Sequence, residues 1–386
     1  MNLDAIREQI PATKNAVYLN SGWSGPSPRS VVEAIKTRLD YESEEGPTTR
    51  PVFESGKAIQ AHAKESVASL LNVTPEEILM TQCTTDGLNV VLNGLPWEEG
   101  DEVITFGLEH PSVLIPAYHL KSSRGVLVNP LPLNPSDSKE DIINRVLNAI
   151  TSKTRMLFLS HIQYTCGLKM PVRELRELTK SRGIWMLIDG AQTAGHITLD
   201  MRELDCDFYA IPGQKWLLGP DGVGALYIRK EMIPLVKPVR ISSTASLAYD
   251  DVGNFKPNED SMDKFKLPTS SVALLAGFIE AIKFHQTLGS EVIEKRNLGL
   301  ASQLKNAFSE IRGINLLSPT SESVSAGLTS FQVEGKKADD VVTSLWDNFG
   351  IVVRQVNELS CVRASSHFFN TEEELEKLIN ATLSLL

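Results

Sequence analysis

Ile188-Asp-Gly-Ala-Gln-Thr-Ala-Gly195, followed by Gly213-Gln-Lys-Trp-Leu-Leu-Gly219, decides how this chain is read. The run leading into it, Ile184-Trp-Met-Leu-Ile188, is short, continuous and apolar, the pattern of a strand buried on both faces of a parallel sheet. Phe208-Tyr-Ala-Ile211 repeats that pattern just before Gly213. If the two strands are neighbours, Asp189 and Lys215 converge at the carboxyl edge of one sheet, where open α/β folds bind ligands. Singly, an Asp after a strand reads as a helix cap, and a Lys in a Gly-rich loop as a solvated cation. As a pair set between two buried strands, they read as a site.

Around this stretch the chain alternates strand-like and helix-like runs from about residue 55 to 230, which implies βα units and a mainly parallel sheet. Lys57 to Leu71 has helical period, and Glu102-Val-Ile-Thr-Phe106, Val126-Leu-Val128 and Arg155-Met-Leu-Phe-Leu159 look like strands. Pro171 to Arg182 reads as a helix with proline at its start. Gly224-Ala-Leu-Tyr-Ile228 reads as a strand leaving the lysine loop. Residues 241–268 are polar and irregular, a loop over the site or over a partner subunit. Helices over about Ser271–His285 and Glu291–Ile311, short strands near 326–332 and 350–355, and a helix opening on the capping box Thr371-Glu-Glu-Glu374 follow. This change of pattern places a large domain at 16–285 and a small one at 1–15 and 286–386.

At 386 residues, 42% apolar and 22% charged, the composition is that of a soluble globular protein. A net charge of −10 without a basic run argues against nucleic acid and anionic membrane surfaces as partners. No apolar stretch approaches membrane-spanning length. The N-terminus reads as a short amphipathic helix without signal-peptide character. Cys83, Cys166, Cys206 and Cys361 are widely spaced, which suggests reduced thiols in a cytoplasm, and the histidines show no metal-ligand spacing. No metal is expected.

A carboxylate and an amine placed like Asp189 and Lys215 suit pyridoxal phosphate: the amine forms a Schiff base, and the acid keeps the pyridine nitrogen protonated. Such a site must also hold a phosphate and cover a ring. Thr81-Gln-Cys-Thr-Thr-Asp-Gly87 precedes a helical run, so its free N–H groups and the Thr84 and Thr85 hydroxyls suit a phosphate, or alternatively an ordinary helix cap. His110, in Leu108-Glu-His-Pro111, could lay its ring on a cofactor, and Gln192 could reach the phenolic oxygen.

In this order the residues resemble the class V branch of fold-type I pyridoxal phosphate enzymes: cysteine desulfurases, selenocysteine lyases, C–S lyases and their kin. The resemblance runs from Tyr18-Leu-Asn-Ser-Gly22 to Arg363-Ala-Ser365. It implies an α/β fold of the fold-type I transferase kind, a large domain with a mainly parallel seven-stranded sheet and a small α+β C-terminal domain. It implies Lys215 as the Schiff-base lysine, Asp189 on the pyridine nitrogen, His110 stacked on the ring and Gln192 on the phenolate oxygen. Thr84, Thr85 and Gln214 would hold the phosphate, joined by Thr269 from the other subunit of a homodimer with shared active sites. Arg363 would take the substrate carboxylate, with Ser21, Gly22 and Tyr164 beside it.

Departures from the family pattern set the expected reaction. Desulfurases carry sulfur on a nucleophilic cysteine of a mobile loop. Here the matching connection is only Gln355-Val-Asn-Glu-Leu-Ser360, without cysteine, and Cys361 reads as a packing residue. The short connection and Cys361-Val-Arg-Ala-Ser-Ser-His367 look like cysteine/cystine C–S lyases. Pro212 and Gln214 replace a hydroxyl residue and a histidine that the family sets against the phosphate. The expected activity is α,β-elimination on cysteine, cystine or an S-substituted cysteine or its sulfoxide. It would give pyruvate, ammonia and a thiol or persulfide. An aminotransferase or epimerase is the alternative, a desulfurase less so. A regulator without turnover would usually carry an added DNA-binding domain, whereas only about fifteen residues precede the expected fold here, and Gly219-Pro-Asp-Gly-Val-Gly224 has the wrong glycine order for a dinucleotide fingerprint.

Overall fold

The computed structural model describes residues 2–386. Among them the main sheet has seven strands: β1 (Ile78–Thr81), β2 (Glu102–Phe106), β3 (Leu127–Leu131), β4 (Thr154–Ser160), β5 (Trp185–Asp189), β6 (Phe208–Pro212) and β7 (Gly224–Ile228). Their order is β1-β7-β6-β5-β4-β2-β3, and only β7 runs against the rest. The expected mainly parallel seven-stranded sheet is therefore present. Successive residues along the central strands feed two different cores. Leu157, Leu159, Ile188, Tyr209 and Ile211 face one, while Phe158, Leu187, Phe208 and Ala210 face the other. Burial on both faces is why these strands are continuous apolar runs and not alternating ones.

The expected strands of this sheet are found with small shifts at their ends, while the one expected near 350–355 divides into Ile351–Val352 and Arg354–Val356, which pair in different sheets. β3 runs to Leu131 through Pro130, which the edge position of this strand tolerates. The expected Pro171 helix begins at Val172 and ends at Lys180, with the proline at the capping position. The helix read from Lys57 starts earlier, at Arg50, and a preceding helix, Arg29–Glu45, was not read at all. Its only buried residues are Val31 and Arg38, too few to set an apolar period. Residues 241–268 are not irregular throughout. Ser246–Tyr249 and Phe255–Pro257 pair as an antiparallel hairpin flanked by short 3₁₀ turns.

A second, antiparallel sheet follows in the order Ile314–Leu316, Leu328–Val333, Cys361–Ser365, Arg354–Val356. Helices Ser290–Glu310, Ala338–Phe349 and Glu372–Leu383 supply its core, where Leu300, Phe308, Phe331, Leu345 and Leu375 are buried. The Thr371–Glu374 capping box is formed in both directions. Val17 and Leu19 belong to this core too, and Val17–Tyr18 pairs with Ile351–Val352. The N-terminal segment thus crosses from the second sheet to the edge of the first, carrying Ser21 and Gly22 toward Lys215.

Candidate active site

β5 and β6 are parallel neighbours, with Asp189 opposite Ala210. That register brings Asp189 and Lys215 onto one cavity of 270 Å³, which His110, Thr84, Thr85 and Gln192 also line. Asp189 is buried, and its Oδ1 accepts the Ala191 N–H at 2.8 Å. Burial raises its pKa, against the pull of the Lys215 charge and the Ala191 N–H. At Lys215 burial dominates and brings the amine down to about 8; Asp189 opposes this, while Arg363 and Arg354 add to it.

The lysine loop is anchored at the next residue. The Trp216 carbonyl accepts from Nε2 of both His285 and His367, at 2.8 Å each. The His196 ring stacks on the Trp216 indole with centroids 3.8 Å apart. The Trp216 indole N–H donates to Gln192 Oε1 at 2.8 Å, and Gln192 Nε2 donates to the Gly22 carbonyl at 2.7 Å. Gln192 is therefore held at the cavity wall with one amide hydrogen left for a ligand.

Thr84 and Thr85 open the helix Thr84–Gly94, whose first N–H groups point outward. The Thr84 hydroxyl and Gln214 Oε1 are buried without a hydrogen-bond partner among the described residues. Thr85 is bonded to Ser112 at 2.9 Å. Ser112, a cavity residue the sequence reading missed, gives its N–H to His110 Nδ1 at 3.0 Å. The imidazole so caps the helix Pro111–Arg124 and meets the Tyr164 ring edge-on at 4.9 Å. Burial, then Lys215 and Arg354, holds His110 at about 4, so it is neutral near pH 7.

Arg363 is fully buried, and its Nη1 donates to the Tyr164 carbonyl at 2.7 Å. Its Nε and Nη2 have no partner among the described residues, nor do the Ser21, Ser365 and Ser366 hydroxyls. A buried guanidinium with unmet donors is costly, and an anion removes the cost. Arg354, which the sequence reading also missed, sits opposite Arg363 in the strand pair and lines the cavity, with its guanidinium over the Trp23 ring at 4.7 Å. Its signal was the paired register of two short strands, which no single run discloses. Gly22 must be glycine, since a Cβ there would stand 2.7 Å from Ser365 Oγ. Thr269 is not brought to this cavity; it lines a separate one of 920 Å³ beside Lys57, Gln82 and Arg240.

The arrangement fits pyridoxal phosphate. The helix terminus and the unpartnered Thr84 hydroxyl suit a phosphate, and an amine and a buried acid line the same cavity. The profile of the class-V aminotransferase family matches residues 17–378. The chain belongs to the class-V aminotransferase family. It is accordingly a pyridoxal-phosphate-dependent enzyme. This class-V chain is 30% identical to a probable cysteine desulfurase of Halalkalibacterium halodurans, covering 98% of this chain and 96% of the relative. It is 28% identical to an isopenicillin N epimerase of Amycolatopsis lactamdurans over 98% of this chain and 97% of the relative. The structure of the cystine C–S lyase C-DES in complex with cysteine persulfide superimposes with a TM-score of 0.91 at 27% identity, covering 97% and 99% of the two chains. The fold-type I expectation and the desulfurase/C–S lyase grouping both hold. No described helix is long and apolar enough to cross a membrane.

Proposed function

We propose that this enzyme is a C–S lyase that performs α,β-elimination, with cystine as its best substrate among cysteine, cystine and S-substituted cysteines. The observation that carries this reading is the link between the two arginine strands. From Arg354–Val356 the chain passes through one 3₁₀ turn, Asn357–Leu359, and a left-handed Ser360 (φ 46°) directly into Cys361–Ser365. The link is one short turn, and no exposed thiol lies in it. Cys361 is buried, which pushes its thiol up to about 12 and leaves it a poor nucleophile at neutral pH. Sulfur therefore has no protein carrier at this place, which supports its leaving on the substrate's own fragment.

Bound pyridoxal phosphate supplies an aldehyde for the amine and an electron sink for the bond broken at Cα. Lys215 is the residue we assign to the aldehyde and to the Cα proton, since burial lowers its amine from the ordinary 10.5 to about 8, where a free-base fraction is available near neutral pH. Asp189 holds a proton on the ring nitrogen, His110 covers the ring, and Gln192 offers its spare N–H to the phenolic oxygen. Thr84, Thr85 and Gln214 take the phosphate. Arg363 holds the α-carboxylate through its unmet Nε and Nη2, beside Ser21, Gly22 and Tyr164. Arg354 gives the site a second guanidinium, which suits a substrate with a carboxylate at each end. Overall, cystine and water become cysteine persulfide, pyruvate and ammonia, with no external oxidant or reductant.

We further propose a homodimer in which the partner's Thr269 completes the phosphate site. The hairpin at 246–257 presents Leu247, Tyr249, Val252 and Phe255 to solvent, a suitable arm for a second copy. The four free thiols suit a reducing cytoplasm. Product analysis tests the activity: cystine should give pyruvate and persulfide in equal amounts. Alanine as sole product would make the chain a desulfurase, and recovery of the D-amino acid an epimerase.

A further inference from the structure

Glu109 is 1% exposed and lies between β2 and His110. A glutamate before His-Pro reads as a surface turn residue, so its burial needs a reason. Buried carboxylates require donors, and this one has three groups. The Ser160 N–H reaches both oxygens at 3.0 Å, the Ser160 hydroxyl bonds Oε2, and Gln163 Nε2 donates to Oε1 at 2.6 Å. No salt bridge forms to it among the described residues. Burial pushes the carboxyl up to about 7, and the Ser160 and Gln163 donors restrain that rise.

Each of these contacts leads to a residue of the site. Ser160 closes β4, lines the cavity and is the register partner of Asp189 on β5. Gln163 opens the turn whose next residue, Tyr164, gives its carbonyl to Arg363 and its ring edge to His110. His110 follows Glu109 in the chain. One carboxylate thus touches the supports of the groups assigned to the ring nitrogen, the ring face and the substrate carboxylate. A carboxylate accepts from all three donors at once and with its full charge. A glutamine keeps one oxygen for the Ser160 N–H and Gln163 Nε2, must reverse the bond to the Ser160 hydroxyl, and loses the charge assistance at both.

We propose that Glu109 is a positioning residue, whose carboxylate locks the Gln163–Tyr164 turn so that Arg363 and His110 hold substrate and cofactor in register. The inference rests on the site reading given above. Its test uses the holoenzyme and 3,3′-dithiodipropionate, which is cystine without its amines and therefore binds without reacting. Calorimetry gives its dissociation constant, and melting is followed separately. Glu109→Gln should weaken binding about 10- to 100-fold, the usual cost of losing a supporting shell, and Glu109→Asp should recover most of it. A folded Glu109→Gln protein that binds within about twofold of the parent overturns the proposal, because a purely structural acid would alter melting alone. If Glu109→Gln does not fold, Gln163→Leu, which removes the Gln163 bond to Glu109, decides by the same criterion. A parent enzyme that binds the cofactor but not the dithiodipropionate overturns the proposal together with the substrate reading beneath it.

Discussion

At the scale of single residues, the site is a set of charges made expensive by burial and therefore poised to be neutralised by ligands. Lys215 is the clearest case. Its amine, lowered to about 8 from the ordinary 10.5, is protonated below that value and free above it. The rate at which the cofactor-free protein captures the aldehyde should accordingly rise with pH through about 8 and then level, as read by the growth of visible absorbance. Since the folded amine binds fewer protons than the unfolded one between about 8 and 10.5, this group makes the apoprotein more stable as pH rises through that window. Lys215→Ala should show no such capture and no borohydride-fixed label. The two arginines give a paired prediction. Arg354→Ala should raise KM for cystine about tenfold while leaving that for a monocarboxylate such as S-methylcysteine little changed. Arg363→Lys, which loses the planar fork, should raise both. Equal effects of Arg354→Ala on the two substrates would remove its assigned role.

At the scale of elements, the lysine loop and the Asp189 turn are packed backbone to backbone, and glycines permit it. A Cβ on Gly195 (φ +83°) would stand 2.5 Å from the Trp216 carbonyl that both histidines use. Gly195→Ala should cost about 2–4 kcal/mol in urea unfolding, from left-handed strain plus displacement of the loop. The start of β6 is pinned by Asp207, which accepts from Arg176 at 2.7 and 2.8 Å and from the Met186 N–H. Asp207→Asn leaves that buried guanidinium half paired and should cost about 3–5 kcal/mol by the same measurement. These elements were legible in the sequence because their strands are apolar throughout. The hairpin at 246–257 was not, because its residues stay largely exposed in this chain and so carry no burial pattern.

At the scale of the whole molecule, Tyr249 and Val252 at 74% and 80% exposure need a cover that one chain does not provide. Tyr249→Lys with Val252→Lys should convert the proposed dimer to monomer by light scattering, and the monomer should lose cofactor affinity if the partner's Thr269 serves the phosphate. A double variant that stays dimeric would place the interface elsewhere.

Sequence alone carried Asp189, Lys215 and the parallel sheet, because burial on both faces writes itself into continuous apolar runs and strand ends fall where those runs stop. It also carried the missing loop cysteine, a matter of counting. Arg354, Ser112, Ser160 and Glu109 became visible only in the folded chain. Each is an ordinary polar residue by type, and its importance comes from the register of neighbouring strands and from burial. Both arise from contacts between segments distant in sequence, as when the 17–22 crossing sets Gly22 against Gln192 and Ser365.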